Sequence, residues 1–482
     1  MVRRFQLAVS PEARLAEPDL PAAARAAGVS DVWIGAYLYG HWYYPPERIA
    51  AERRAWERAG FRVHAIQVPL GHPGDSLGSV SGQPPLIPPS HWKPGVDSEG
   101  KRFWGTSLHE PAAAENARAI SRIAALGVRR AFLDDDFRLA RGPGVIGGCY
   151  CHAHWEEFAR RCGYGPAVRG QLIEAVRARR LDAVLRNWVE YNCDQLTECF
   201  RTIQEAAGEL ELGIMVMYLG SEKAGIRLED YRGAPFRVGE LMFDDRSFGR
   251  VKGKTDELFS ALFHRRFTEP ERAYSETTAF PSDRLSARNM AAKLVISTLA
   301  DVRNTMFMSG LKPFPLAHWE TLGPAMRKQA AIHARVAGHA PRGPFKHWWG
   351  TAARYVGDDK PYSLFLASGV PFEVCHEPPR EGWTFLCDAD AGSVRPPAEA
   401  LTRSTLPETL ESLYAFKNRI RAKLENVPFV EDDKPVVCSW LPSARRVLLW
   451  NLAESRETFS LFYRGTRRQV AAEALDLAEV AL

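Results

Sequence analysis

The sequence predicts an α/β protein built on a (β/α)8 barrel, followed by a small α/β segment and a C-terminal antiparallel β module. Three observations carry this. Eight short apolar runs alternate with amphipathic helical stretches over about the first 335 residues. The segments between those runs punctuate as helices. Beyond about residue 340 the alternation stops and Gly-, Ser- and Asn-bounded strands take over.

The strand candidates are FQLAV (5–9), DVWIGAYL (31–38), RVHAIQV (62–68), RRAFLD (129–134), LGIMVMY (212–218), GELMF (239–243), RAYSE (272–276) and NTMFM (304–308). Among the helical stretches, PPERIAAERRAWERAG (45–60) and PAAAENARAISRIAALG (111–127) open on Pro and close on Gly, and LTECFRTIQEAAGEL (196–210) is a third. Eight such units favour a closed barrel over an open doubly wound sheet. The expected organisation is a barrel over 1–338, an α/β segment over 339–400, and a helix with a β-sandwich-like module over 401–482. The long loops after strands three and four (69–110 in particular) mark the functional end, since βα loops carry barrel active sites.

Composition narrows the class. The chain has 482 residues, 45% hydrophobic and 25% charged, with 63 basic and 58 acidic side chains spread evenly for a net charge of +5. Without a basic block or tail, nucleic-acid and membrane partners are not expected. No run of about 18 apolar residues and no signal peptide are visible, and eight cysteines are too few for a disulfide scaffold, so a cytoplasmic setting is expected. Aromatic rings crowd loop-like segments: LYGHWYYPPE (38–47), SHWKPG (90–95), RFWGTS (102–107) and FKHWWG (345–350). Part of this is packing under loops. Rings beside polar groups also suit the apolar face of a sugar, which singles out His41, Trp42, Trp92, Trp104 and His109.

Three features crowd residues 133–158. GPGVIG (142–147) matches a dinucleotide fingerprint, but it neither follows a strand directly nor opens a helix, and reads as a flexible loop. Cys149, Cys151 and His154 offer zinc ligands, but a structural site needs four. Cys162, about 12 Å farther along the implied helix, cannot share an ion with His154. Packed thiols at a helix start are the plainer reading; a fourth ligand would come from elsewhere, with His109 or His91 as candidates. Asp134, Asp135 and Asp136 end the fourth strand, where barrels place catalytic groups, with Arg138 as an obvious partner. Acids hydrogen-bonded at a strand–loop junction are the structural alternative.

Glu276 ends the seventh strand, across the mouth from those aspartates. Two opposed carboxyls are what glycoside hydrolysis needs, one to protonate the leaving oxygen and one to attack or to activate water. Asp244, Asp245 and Arg246, after the sixth strand, suit a hydroxyl-rich substrate.

These pieces resemble clan A glycoside hydrolases, most closely the family 42 β-galactosidase-like proteins. The resemblance rests on CYCHAHWEEF after strand four, similar to that family's Cys-x-Cys-x-x-Cys zinc segment, on DSEGKRFWGTSLHEPAAAENARAI (97–120), and on the order barrel, α/β segment, β module with VLLWNL. It implies an acid/base after strand four and a nucleophile after strand seven. The chain departs from the family in carrying Asp-Asp-Asp-Phe-Arg where Asn-Glu stands, and His154 where the last cysteine stands. Its α/β segment is short for a full flavodoxin-like domain, so trimer formation does not carry over. A homo-oligomer remains open.

The expectation is an exo-acting, retaining glycosidase with Glu276 as nucleophile and an acid among Asp134–Asp136 as acid/base. It needs no cofactor beyond a structural zinc held by Cys149, Cys151 and His154. The rivals are a metal-dependent hydrolase using the Asp/His cluster and a carbohydrate-binding barrel without catalysis.

Overall fold

The structure, a computed structural model, describes residues 3–69, 88–103, 109–134, 137–140, 142–216, 219, 221–238 and 242–482. Eight parallel strands close the barrel: β1 (Arg4–Val9), β2 (Asp31–Leu38), β3 (Arg62–Val68), β4 (Arg130–Leu133), β5 (Glu211–Val216), β6 (Phe236–Val238), β7 (Ala273–Thr278) and β8 (Asn304–Met308), with β8 pairing back to β1. They are buried on both faces, which is why most read as continuous apolar runs. The sixth lies earlier than its sequence suggests. It is Phe-Arg-Val, not the run beginning at Gly239, of which residues 239–241 lie outside the described set and Met242 and Phe243 are already loop.

The longer helices of the barrel region include α1 (Pro46–Arg58), α2 (Ala112–Ala125), α3 (His152–Cys162), α4 (Ala183–Ala207), α5 (Val251–His264), α6 (Ala287–Leu299) and α7 (His318–Val336). α4 starts well before the expected residue 196, because the Asp182 carboxylate accepts from the Leu185 amide and caps a 25-residue helix. Its first half leaves the barrel to build a satellite core with Tyr150, Trp155, Phe158 and Trp188. The glycine run is a loop, as expected, and its end packs beneath this core. The Gly147 and Gly148 amides donate to Lys223 O and Leu139 O at 2.7 and 2.6 Å, and a Cβ on Gly147 would lie 2.0 Å from the Leu139 carbonyl.

The barrel interior is aromatic at its floor. The Trp33 ring lies 4.6 Å from His64, 4.7 Å from Phe132 and 5.9 Å from Tyr274. Below it, Asp31 accepts from His64 Nε2 (3.0 Å), Arg62 Nη2 (2.6 Å) and Ser30 Oγ (2.5 Å). Burial alone would raise the Asp31 carboxyl, but the bonds from His64, Arg62 and Ser30 outweigh it and bring it from 3.8 down to about 2. A depressed carboxyl contributes stability above its unfolded pKa and loses it as pH falls through the folded one, here about 2 kcal/mol. Asp31→Asn should therefore lower the urea midpoint at pH 7, and the gap from wild type should narrow once the pH drops below about 4.

After α7 a four-stranded parallel sheet forms from β9 (Phe345–Trp348), β10 (Phe372–Cys375), β11 (Trp383–Phe385) and β12 (Glu399–Leu401), in the order β10-β9-β11-β12. FKHWWG thus begins as a strand, not a loop; His347 is buried there against Phe259 and Trp349, and Trp348 is buried with Leu386, Val394 and Ala398. The short helix α8 (Thr351–Val356) follows β9, and its Ala352 and Ala353 amides donate to the Asp390 carboxylate at 2.8 and 2.9 Å. The last segment makes two three-stranded sheets. β13 (Phe429–Val430), β16 (Glu457–Tyr463) and β17 (Thr466–Ala472) form one; β14 (Val436–Leu441), β15 (Arg446–Asn451) and β18 (Leu477–Ala481) form the other. Among the described residues no helix is long and apolar enough to cross a membrane.

Candidate active site

Side chains alternate along a strand, so positions two beyond the aromatic floor point into the barrel one layer higher. From Phe132 this gives Asp134, and from Tyr274 it gives Glu276. They are 2% and 5% exposed. The Asp134 amide donates to Gln67 O at 2.7 Å, which ties the end of β4 to β3. Glu276 is the fourth of six residues in β7, deeper than a strand-end position, and its Oε1 accepts from Thr278 Oγ1 at 2.6 Å.

Between the two acids stands a group the sequence reading missed. Arg237, from β6, is fully buried; its Nη2 donates to Asp134 Oδ1 and lies 3.9 Å from Glu276 Oε2. The sulfurs of Met215, Met306 and Met308 complete its surroundings at 2.8–3.2 Å. Thioethers are weak acceptors, so Asp134 and Glu276 supply the counter-charge. Burial lowers the Arg237 pKa and Glu276 acts in the opposite direction. The available signal was one charged residue inside a three-residue apolar strand.

The other expected residues separate. Asp135, Asp136 and Trp104 lie outside the described residues. Arg138 is buried, its Nε donating to Ala140 O at 3.0 Å. Asp244 caps a helical turn by accepting from the Ser247 amide and hydroxyl, both at 2.7 Å, and the Asp245 carboxylate accepts from Ser286 and Asn289. Arg246 is exposed on that turn, eight residues past β6. The Trp42 ring packs 5.3 Å from Tyr37 and under Arg122, the His41 ring lies 5.2 Å from Tyr43, and buried Trp92 donates to Glu115 at 2.7 Å. Phe280, four residues past Glu276, is 45% exposed and escaped notice in the sequence.

His109 stands with Cys149, Cys151 and His154, and the four ligand atoms all lie within 4.8 Å of one another. Its Nε2 is 3.6 Å from both sulfurs, and Cys151 Sγ is 3.5 Å from His154 Nδ1. A tetrahedral zinc with ordinary Zn–S and Zn–N bonds has S···N edges of about 3.6 Å, so the donor set fits in size and type. Burial, with His154 and Lys93 nearby, lowers His109 to about 4 and keeps it neutral at pH 7, the form that ligates metal. The cluster joins the loops after β3 and β4.

A closed eightfold barrel with two buried acids and an arginine one layer above its floor, a small parallel sheet and paired antiparallel sheets define the class of architecture. Solved structures share its fold over nearly their whole length. The β-galactosidase from Rahnella sp. R3 superposes with a TM-score of 0.62 at 8% identity, covering 99% of this chain and 98% of that one. The enzyme from the psychrophilic Marinomonas ef1 gives 0.62 at 9%, covering 99% of each. Gan42B, a GH42 β-galactosidase from G. stearothermophilus, gives 0.63 at 8%, covering 99% of this chain and 98% of that one. At such identities the likeness is one of fold. No family model and no curated protein matches the sequence.

Proposed function

We propose that this protein is a glycoside hydrolase that removes a terminal sugar at the C-terminal mouth of the barrel, with Glu276 as nucleophile. The observation that carries the reading is the buried line Asp134–Arg237–Glu276 across the barrel. A nucleophilic carboxylate must be ionised, and two neighbours of Glu276, the Thr278 hydroxyl and the Arg237 guanidinium, favour that form. The acid/base must instead carry a proton when the glycosidic bond breaks. Asp134, bonded to Arg237, is ill suited to that and holds the arginine in place. The acid/base role then falls to Asp135 or Asp136, and retention is the expected outcome. Phe280, exposed beside β7, offers a ring face for the sugar beyond the scissile bond.

The test is turnover of an aryl glycoside panel, begun with β-galactosides because the solved structures sharing this fold bear that name. The anomer first released, followed by NMR, separates retention from inversion. No turnover across the panel, with sugar binding by calorimetry, would favour a carbohydrate-binding barrel instead.

His109, Cys149, Cys151 and His154 would hold a structural zinc, which cross-links two mouth loops and takes no part in the chemistry. Metal analysis should find about one zinc per chain. Cys149→Ser should lose it and lower Tm by several degrees, with kcat of the folded fraction at 25 °C changed less than about threefold. Immediate loss of turnover on chelation, without unfolding, would point to the metal-dependent hydrolase.

A further inference from the structure

A groove of about 780 Å³ opens at the opposite end of the barrel, between the turns that lead into β6, β7 and β8 and the edge strand β10 of the small parallel sheet. Its volume falls within the range of small-molecule sites. Pro270, Leu299, Ala340 and Val374 give it apolar walls.

Arg266 lines this groove in an unusual state. Its Nε donates to Phe263 O at 3.1 Å, and its guanidinium carbon lies 4.9 and 5.8 Å from the Phe263 and Phe267 ring centres. Its Nη1 is buried and meets no hydrogen-bond partner, and no carboxylate pairs with Arg266 among the described residues. The nearby acids are otherwise engaged. Asp301 takes His333 and Arg303 at 2.8 and 3.4 Å, and Glu373 takes Arg342 and Lys346. Glu269 and Glu377 are exposed at the rim. Burial lowers Arg266 to about 9, which still leaves it charged at pH 7. A half-buried cation whose described contacts are two ring faces and one carbonyl, with Nη1 buried and unpartnered, lacks its strongest class of partner, a charged acceptor.

We infer that this groove binds a sugar-sized small molecule carrying one oxyanion, a phosphate or a carboxylate, with Arg266 as the anchoring charge. The Arg266 side chain lines this space, and its unpartnered Nη1 is the donor that an incoming oxyanion would satisfy. The site is separate from the barrel mouth and does not depend on the activity proposed there.

Isothermal titration of the full chain with glucose 6-phosphate, glucuronate, inorganic phosphate and neutral glucose tests it. The anionic sugars should bind at sub-millimolar Kd, at least tenfold tighter than glucose. Inorganic phosphate binding as tightly as glucose 6-phosphate would identify free phosphate as the source of the oxyanion. Arg266→Met should weaken binding at least tenfold. Ala340→Trp, at an exposed position on the groove wall, should block it while leaving Tm unchanged, which keeps the test sound if Arg266→Met folds poorly. No anion bound tighter than about 10 mM, or affinity unchanged in both variants, would overturn the inference. Since no step reads hydrolysis, a failed glycosidase assay leaves this test intact.

Discussion

Glu276→Gln is expected to reduce turnover of an activated aryl glycoside by about 10³-fold or more while leaving the fold intact. Gln keeps the shape and can still accept from Thr278, so the loss isolates the charge. Stability should hold or rise slightly. Two buried carboxyls share one guanidinium in the native protein, and neutralising one removes repulsion between them. A smaller variant, Glu276→Ala, adds a positive signal: azide should enter the vacated space, attack the anomeric carbon and restore turnover as a glycosyl azide of inverted configuration. Full activity in Glu276→Gln, measured beside an unchanged Tm, would remove Glu276 from the chemistry.

Arg237→Met should be the most destabilising single change at the site. It leaves Asp134, 2% exposed, without its cation, a loss of about 3–5 kcal/mol for a broken buried pair. The sign of its pH dependence follows. Without Arg237 the Asp134 carboxyl is raised above its unfolded pKa, so the defect is largest at neutral pH and shrinks as pH falls and Asp134 takes up a proton. The paired replacement Asp134→Leu with Arg237→Met should regain most of the urea midpoint, because an apolar pair fills the space without an orphaned charge. Turnover should stay at least about 100-fold down in both, since Glu276 has lost the cation facing it. Turnover that recovered along with stability would reduce the pair to a packing element.

Much of this was legible in the sequence. Barrel strands buried on both faces write themselves as apolar runs, which is how DVWIGAYL and RVHAIQV gave their positions away. β6 did not, because its core is three residues long with a charge in the middle and a more apolar run follows at once. The same fact hid Arg237: its role exists only because β4 and β7 carry acids to the same layer from far along the chain. Asp134 and Glu276 were readable as strand-borne acids whose placement needs only period two. Asp244 and Asp245 imitated them, and what distinguishes them is local capping chemistry with Ser247 and a long-range bond from Ser286. His109, one of the two candidates for a fourth ligand, joins the two cysteines from 40 and 42 residues away, a choice over His91 that the fold makes and no spacing rule encodes.

The carboxylate of Asp390 at the start of α8 has a consequence for the second sheet. In doubly wound parallel sheets, the turn between the first strand and its helix is where phosphate groups of bound nucleotides settle, drawn by free amides. Here those amides already hold an anion that belongs to the chain itself, and a side chain on Gly350 would collide with it at 2.4 Å. The sheet thus carries a permanent internal substitute for a ligand. The Asp390 carboxylate thereby ties the turn after β11 to the first turn of α8 and holds that corner of the sheet together.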